Sequence, residues 1–430
     1  MEKTIEEKLN EMRKQKNIRL YPIYKMFSWD LLFYYAIIFL FLTQVKNISS
    51  ADVLLSEALY PLFKSLLLIP ATILIDRIGK RKSLIFANLV LAFSTLSFIV
   101  ATNFETVLLA QFLSAIGFII KGICEANILY DSLEKNEKRG ATFSKIDGKA
   151  SSWYYYIDAV SSVIAGFLFA VNGYLPLIFC LIINIISTIM SMNFEEIETN
   201  EKKQKTTFTN EYKNLKQSMK NIFKSARLRN LLLFGAMFSG IISVLITLRS
   251  SLLSDIGIPS QYFGIIFAVL EIVSGIAAKN QFRIHKKFRN KTLASLSLPT
   301  VVSCIILGLW CNIELNFYIM IFGVLVIFLV QAISKGPFYT LIRQYLNNFT
   351  TATLRTKISS AYNFLEGIFR FLIGLFASFL LRYTITSNTI TIIGCIATVI
   401  IVLMLDNMRE KVGLKPEEYK EKDIKILELK

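Results

Sequence analysis

Histidine is almost missing from this chain. His285 is the single one in 430 residues, and it stands in a basic stretch, which leaves no histidine-based metal centre and no imidazole base within the apolar segments. The cysteines are five, Cys124, Cys180, Cys304, Cys311 and Cys395. None has CxxC spacing and all fall in or at the ends of apolar runs, so they read as small buried hydrophobes, not disulfides or metal ligands. No Gly-x-x-x-x-Gly-Lys-Ser/Thr motif is present, which argues against ATP as the energy source. The first 25 residues are polar and charged, so a cleaved signal peptide is not expected. No nucleophile motif occurs. These gaps together predict a protein that is not an enzyme and has no metal and no cofactor.

Apolar sequence is what the chain has in excess. Hydrophobic residues make up 54% and the mean hydropathy is +0.51, which is unlike a soluble domain. Twelve apolar runs are visible, at 22–44, 52–75, 84–101, 106–130, 151–172, 174–193, 230–253, 261–279, 293–311, 315–334, 358–381 and 387–405. Each is long enough to cross a bilayer as a helix, and an isolated strand in lipid leaves its backbone groups unpaired.

Charge is distributed by side. The formal net charge is +17, but the basic residues lie between apolar runs and not on one compact domain, so a nucleic-acid partner is not expected. They fill alternate connections, 1–25, 76–83, 131–149, 194–229, 279–292, 335–357 and 408–430, whereas the opposite connections carry only Lys46 and Arg382. This bias predicts a multi-pass protein of the cell (cytoplasmic) membrane with both termini cytoplasmic. The expected organisation is a cytoplasmic segment 1–21, a six-helix bundle 22–193, a linker 194–229, a second six-helix bundle 230–405 and a tail 406–430. Within the linker, Leu215, Met219, Ile222 and Phe223 share one helical face with lysines on the others, which predicts an amphipathic helix over 210–226.

Two of the runs are joined by Asp76-Arg77-Ile78-Gly79-Lys80-Arg81-Lys82. This pattern of Asp-Arg-x-Gly-(Lys/Arg)-Arg between the second and third helices resembles the signature loop of the major facilitator superfamily of secondary transporters. Trp29-Asp30-Leu31-Leu32-Phe33-Tyr34-Tyr35 and Ala126-Asn127-Ile128-Leu129-Tyr130-Asp131-Ser132-Leu133 are similar to segments of bacterial members without an assigned substrate. The resemblance implies an all-α fold of twelve transmembrane helices in two six-helix bundles, a monomer, and a gating role for Asp76, Arg77, Gly79, Lys80 and Arg81. It further implies that the loop aspartate bonds helix 11 and a basic residue near the inner end of helix 4. Thr72 stands where the family usually has glycine. The corresponding second-half stretch, 279–283, has kept its charge and lost the motif. Helix 5 has no proline in Ser161–Gly166, unlike proton-coupled drug antiporters.

Ionisable groups inside spans cost about 2.5–3.5 kcal/mol each on insertion scales and normally face a cavity or a partner. They are Asp30, Glu57, Lys64, Lys121, Glu125, Asp158, Arg249, Glu271, Glu366 and Arg370. At ~1.5 Å per residue, Asp30, Lys121, Glu125 and Asp158 fall at similar depth. In the family, helices 1, 4, 7 and 10 line the cavity while 2, 5, 8 and 11 meet between halves. The resemblance therefore puts Asp30 and Lys121 toward substrate and Asp158 and Glu271 at that meeting. Lys121–Glu125 and Glu366–Arg370 are i,i+4 pairs open to a purely structural reading. Glu57 and Arg249 lie near helix ends and are expected to snorkel. Tyr34 and Tyr35 are candidate cavity aromatics. The expected function is secondary active transport of a small organic solute by alternating access, coupled to protons through Asp30, Asp158 or Glu366, with export of a drug or metabolite slightly favoured. Nutrient uptake, and a transporter-like sensor or scaffold, remain open alternatives at this level.

Overall fold

The computed structural model describes residues 5–134, 136, 139–197, 208–348 and 352–409. Among these every regular element is a helix. They are α1 (Ile5–Ser28), α2 (Ile38–Leu40) continued by a π-helical turn (Phe41–Val45), α3 (Ser50–Ile78), α4 (Lys80–Val100), α5 (Phe104–Ser132), α6 (Arg139–Val171), α7 (Leu175–Met192), α8 (Phe208–Lys224), α9 (Ala226–Asp255), α10 (Ser260–Lys279), α11 (Gln281–Phe288), α12 (Thr292–Cys311), α13 (Phe317–Asn348), α14 (Ala352–Leu381) and α15 (Thr386–Arg409). Among the described residues eleven helices are long and apolar enough to cross a membrane.

The missing twelfth is a correction to the expectation for 22–44. That run is not one helix. Residues 29–37 leave the helix, and Phe33 takes a φ of +63°, which a bulky side chain rarely adopts. An uninterrupted apolar run carries no signal of such a break. The break is tolerated because much of it is buried in protein, with Leu31, Leu32 and Tyr34 all under 5% exposed, and side chains take up backbone groups left free there, Lys121 those of Ser28 and Trp29 and Asp30 that of Leu31. Other helices outrun their apolar windows. α6 begins at Arg139 and not near 151, and α13 continues to Asn348 and not 334. At these ends the sequence changes from all-round apolar to amphipathic while the helix continues. The linker helix occupies Phe208–Lys224, close to the expected 210–226. In it Met219 is half-buried and Phe223 exposed, while the side chains of Leu215 and Ile222 lie outside the described residues, as does the tail beyond 409.

The chain groups into two compact units. The first holds residues 1–48, 66–211 and 259–265, the second 49–65, 212–258 and 266–430. The division thus passes through α3 and α10 as well as through the central connection.

In the first unit α4 packs on α5 and α7, and α1 packs on α5, α6 and α7. Its core gathers Tyr21, Tyr24, Ile75, Leu84, Ile120, Cys124, Leu129 and Phe194. Helix α7 shows which solvent the unit is built for. It buries Asn184, Ser187, Thr188 and Ser191 and exposes Ile178, Phe179, Ile182, Ile185, Ile186 and Ile189. A water-soluble helix does the reverse. Asn184 Nδ2 donates across to Thr95 Oγ1 of α4 at 2.9 Å, Thr188 and Ser191 bond carbonyls of α7 itself, and between α4 and α5 Ser94 meets Ser114 at 2.6 Å. Polar contacts inside and an apolar coat outside are how helices associate in lipid.

In the second unit α9 packs on α14 and α15, and α12 packs on α13 and α15. Phe234, Phe238 and Phe338 form an aromatic knot, with Phe238 and Phe338 edge-on at 4.7 Å between ring centroids. Gly240 permits the α9–α14 contact, since a Cβ there meets Ile373 Cδ1 at 2.6 Å and the Phe369 carbonyl at 3.2 Å.

Candidate functional site

The interruption of the first apolar segment is where the first unit's charges assemble. A helix ends with carbonyls that no N–H satisfies and with the negative end of its dipole. At the end of α1 a side chain from α5 takes that place: the ammonium of Lys121, itself 3% exposed, donates to Ser28 O and, at 3.2 Å, to Trp29 O. Asp30 follows at once. Its Oδ1 accepts Leu31 N–H at 2.9 Å and the Tyr35 hydroxyl at 2.7 Å, so the carboxylate organises the irregular stretch. Glu125 lies one turn beyond Lys121 on α5. It is 6% exposed, and its Oε2 is buried without a hydrogen-bond partner.

Trp29 links this group to α6. Its ring packs edge-on against Tyr154 and Tyr155 at 5.2 and 5.0 Å, and the Tyr154 hydroxyl is bonded to Asp158. Asp30, Lys121, Glu125 and Asp158 therefore share one neighbourhood. Of the two candidate cavity aromatics, Tyr35 is 48% exposed, whereas Tyr34 is buried against Phe98 at 5.6 Å.

One turn below, Lys25 pairs with Asp147 at 2.5 Å, Tyr21 donates to the same oxygen at 2.6 Å, and the ammonium lies 4.6 Å over Trp29. The sequence reading missed this pair by assigning both ends to surface connections. The available signal was the i, i+4, i+8 row of Tyr21, Lys25 and Trp29 on one face of α1.

The signature loop is a tight joint. Gly79 has φ +88° and ψ 160°, a conformation left essentially to glycine. The carboxylate of Glu196 straddles the start of α4, with Oε1 accepting Lys80 N–H at 3.1 Å and Oε2 accepting Arg81 N–H at 2.7 Å. Lys80 pairs with Asp131 at the end of α5, and Arg81 Nη2 donates to Met192 O at the end of α7 at 2.8 Å. Asp76 and Arg77 are exposed. An acidic residue near the inner end of helix 4, Asp131, thus meets the loop, and its partner there is Lys80. Glu196 and Asp131 escaped the sequence reading because nothing local marks a carboxylate tens of residues away as a partner of this turn.

In the second unit Glu366 and Arg370 of α14 pair at 2.6 Å, and the structure adds two groups to them. Ser239 of α9 donates to Glu366 Oε1 at 2.5 Å, and Arg370 Nη2 donates to Ser239 Oγ at 3.0 Å and to Tyr339 of α13 at 3.3 Å. Glu271 pairs with Lys335 of α13, a residue expected in a connection and found inside a helix. Arg249 does not snorkel. It is 6% exposed and bonded to Gln331 of α13, with Phe328 of the same helix beside its guanidinium.

Solved structures with the same arrangement of helices include the nucleoside transporter NupG, at 10% identity and TM-score 0.71 over 94% of this chain and 100% of that one. A peptide transporter POT, solved as a point mutant, matches at 13% identity and 0.64 over 96% and 95%. A D-xylose-proton symporter matches at 12% and 0.65 over 94% and 98%. At such identities the likeness is one of fold. A curated relative from Rickettsia bellii (strain RML369-C), named an uncharacterized transporter, is 24% identical over 127 residues, and the match spans 30% of each chain. The family model for the Major Facilitator Superfamily matches residues 24–374; with the interrupted first helix, the signature joint and most of both units inside that span, the chain belongs to the Major Facilitator Superfamily.

Proposed function

We propose that this secondary transporter moves a small organic solute across the cytoplasmic membrane by alternating access, drawing on a proton gradient, with α1 and its interruption as the coupling element. The observation that carries the reading is the hold of Lys121 on the last carbonyls of α1 beside Asp30. A helix end closed by a side chain instead of its own backbone is released when that side chain is drawn to another partner. Ionised Asp30 competes for the Lys121 ammonium, and protonated Asp30 does not. Proton binding thereby biases the grip on α1, and a solute that prefers one arrangement is coupled to the proton through that bias. Glu125 and Asp158 stand within the same group and extend the proton route. In the second unit, the Glu366–Arg370–Ser239–Tyr339 network is the further candidate coupling group on the same scheme.

On this reading the interrupted segment is the twelfth crossing, and both termini are cytoplasmic, in line with the distribution of Lys and Arg. Export is the favoured direction, since the aromatic-rich spans with few polar side chains suit an amphipathic ligand. The similarity of fold to a D-xylose-proton symporter is in keeping with ion coupling. The test is proton movement in sealed vesicles bearing the purified chain under an imposed pH gradient, on adding panels of organic cations, sugars, amino acids and organic acids. Solute-dependent loss of the gradient is expected in wild type and absent in Asp30→Asn. Unchanged coupling in that variant removes Asp30 from the scheme.

A further inference from the structure

The second unit buries a cation that the coupling scheme does not use. Arg249 of α9 is held by one edge only: Nε and Nη2 donate to Gln331 Oε1 at 3.1 and 2.9 Å. Gln331 is fixed in turn, its Nε2 donating to Ser303 Oγ at 3.1 Å, and Ser303 Oγ donates to Thr300 O at 2.6 Å. Gln331 and Ser303 are 2% and 5% exposed. The chain from α12 through α13 thus presents the guanidinium in one orientation. Among the described residues no carboxylate lies within ion-pair distance of Arg249, and none of them accepts a hydrogen bond from its Nη1. The Phe328 ring lies 5.3 Å from the guanidinium carbon.

An amide oxygen orients a guanidinium but does not neutralise it. A buried charge without a counter-charge is expensive in protein and more so at membrane depth. Glu271 of α10 acts on the guanidinium only from beyond ion-pair distance. Lys335 sits one turn from Gln331 on the same face of α13, and it holds Glu271 for itself. Glu271, Lys335 and Arg249 together count two cations and one carboxylate. The Glu271 side chain is 52% exposed, whereas the guanidinium is buried and, among the described residues, has no ion-pair partner.

We propose that this cluster binds the anionic group, a carboxylate or a phosphate, of the transported solute, which makes the substrate an organic anion. The Nη1–Nη2 edge of Arg249 meets two oxygens of that group in the forked geometry that guanidinium favours. Gln331 and Ser303 are positioning residues. The assignment rests on the transporter reading above and adds the chemical class of its solute.

Binding alone tests it, on the full chain in nanodiscs of neutral lipid, by thermal unfolding with acetate, benzoate or inorganic phosphate, and with glucose and choline as uncharged and cationic controls. Saturable stabilisation by a carboxylate or by phosphate is expected, and the winning anion tells the two sources apart. Gln331→Glu places a fixed carboxylate against Arg249; it is expected to fold with unchanged or raised Tm and to weaken the apparent anion affinity by about tenfold or more, the worth of one charge-assisted contact. Arg249→Gln is expected to lose the stabilisation as well. If no anion stabilises wild type, or if Gln331→Glu binds as well as wild type, the site is overturned. Anion binding without any proton movement overturns the coupling scheme alone, and proton-coupled movement of glucose or choline without anion binding overturns this assignment alone.

Discussion

Glu196 caps α4 as a Ser or Asp caps most helices, and does so for two N–H groups at once. The first N–H groups of α4 carry the positive end of its dipole, so a carboxylate there gains from both bonding and field. Glu196→Ala is expected to destabilise the first unit by about 1 kcal/mol, within the range for lost N-caps. Gly79→Ala is expected to cost about 1–3 kcal/mol, because its backbone conformation excludes an L side chain. A Cβ there also falls 3.3 Å from Glu196 Oε1. Thermal unfolding in detergent checks both, and the two variants together are expected to lose less than their sum, since they disturb one joint. Gly79 was legible in the sequence, because a turn between two spanning helices needs a permissive backbone. Glu196 was not, because its role exists only after α7 has returned the chain to the foot of α4.

At the scale of elements, α1 is the helix with the most to reveal. Its middle turns are tied to the segment after α7: Asn17 Nδ2 donates to Glu195 O at 2.9 Å, Asn17 Oδ1 accepts Glu195 N–H at 2.9 Å, and Lys16 pairs with Glu195 at 2.6 Å. The hydrogen bond from Lys16 holds the Glu195 carboxyl below its ordinary range. A carboxyl with a lowered folded-state pKa contributes stability above its unfolded pKa and loses it as the pH falls through the folded value. Amide exchange protection in the first half of α1 is therefore expected to fall as the medium is acidified below the ordinary carboxyl range. In Glu195→Gln the protection is expected to be lower at neutral pH and flat across that range. An unchanged pH profile in the variant would assign the effect to another group. The pair is partly exposed, so the effect is confined to fraying of this end and does not reach the fold. Further along, α1 stops where a hydropathy plot sees no reason to stop. Apolar side chains continue through Leu31, Leu32 and Phe33, and only the approach of Lys121 from α5 lets the carbonyls of Ser28 and Trp29 do without further helix. Depth along each run was enough to bring Asp30, Lys121, Glu125 and Asp158 to one level. That Lys121 grips the α1 backbone is a fact of packing.

Sidedness is a property of the whole molecule, set by the basic connections on one face of the membrane. A reporter fused to either terminus is expected to be active or protected as a cytoplasmic one in intact cells, and cysteines introduced beside Lys46 or Arg382 are expected to react with a membrane-impermeant thiol reagent from outside. Reversal of the two would overturn the orientation and, with it, the direction of transport. Lys46 is engaged at its own end, donating to Ile99 O at 2.6 Å, and Arg382 pairs with Asp52 at 2.8 Å.

By itself the sequence determined the solvent, the helical class and the family. The first two follow from a quantity summed along the chain, apolar length against bilayer thickness, and the third from a short motif at a fixed place between two runs. Tertiary structure alone decided which charges have partners. Lys25 and Asp147 moved from expected loops into a largely buried pair, Lys335 moved from a loop into a helix to hold Glu271, and Arg249 moved from a helix end into the interior without a counter-charge. Residues tens to hundreds of positions apart make these pairings. A partner's distance depends on how helices pack, and no window on the chain contains that information.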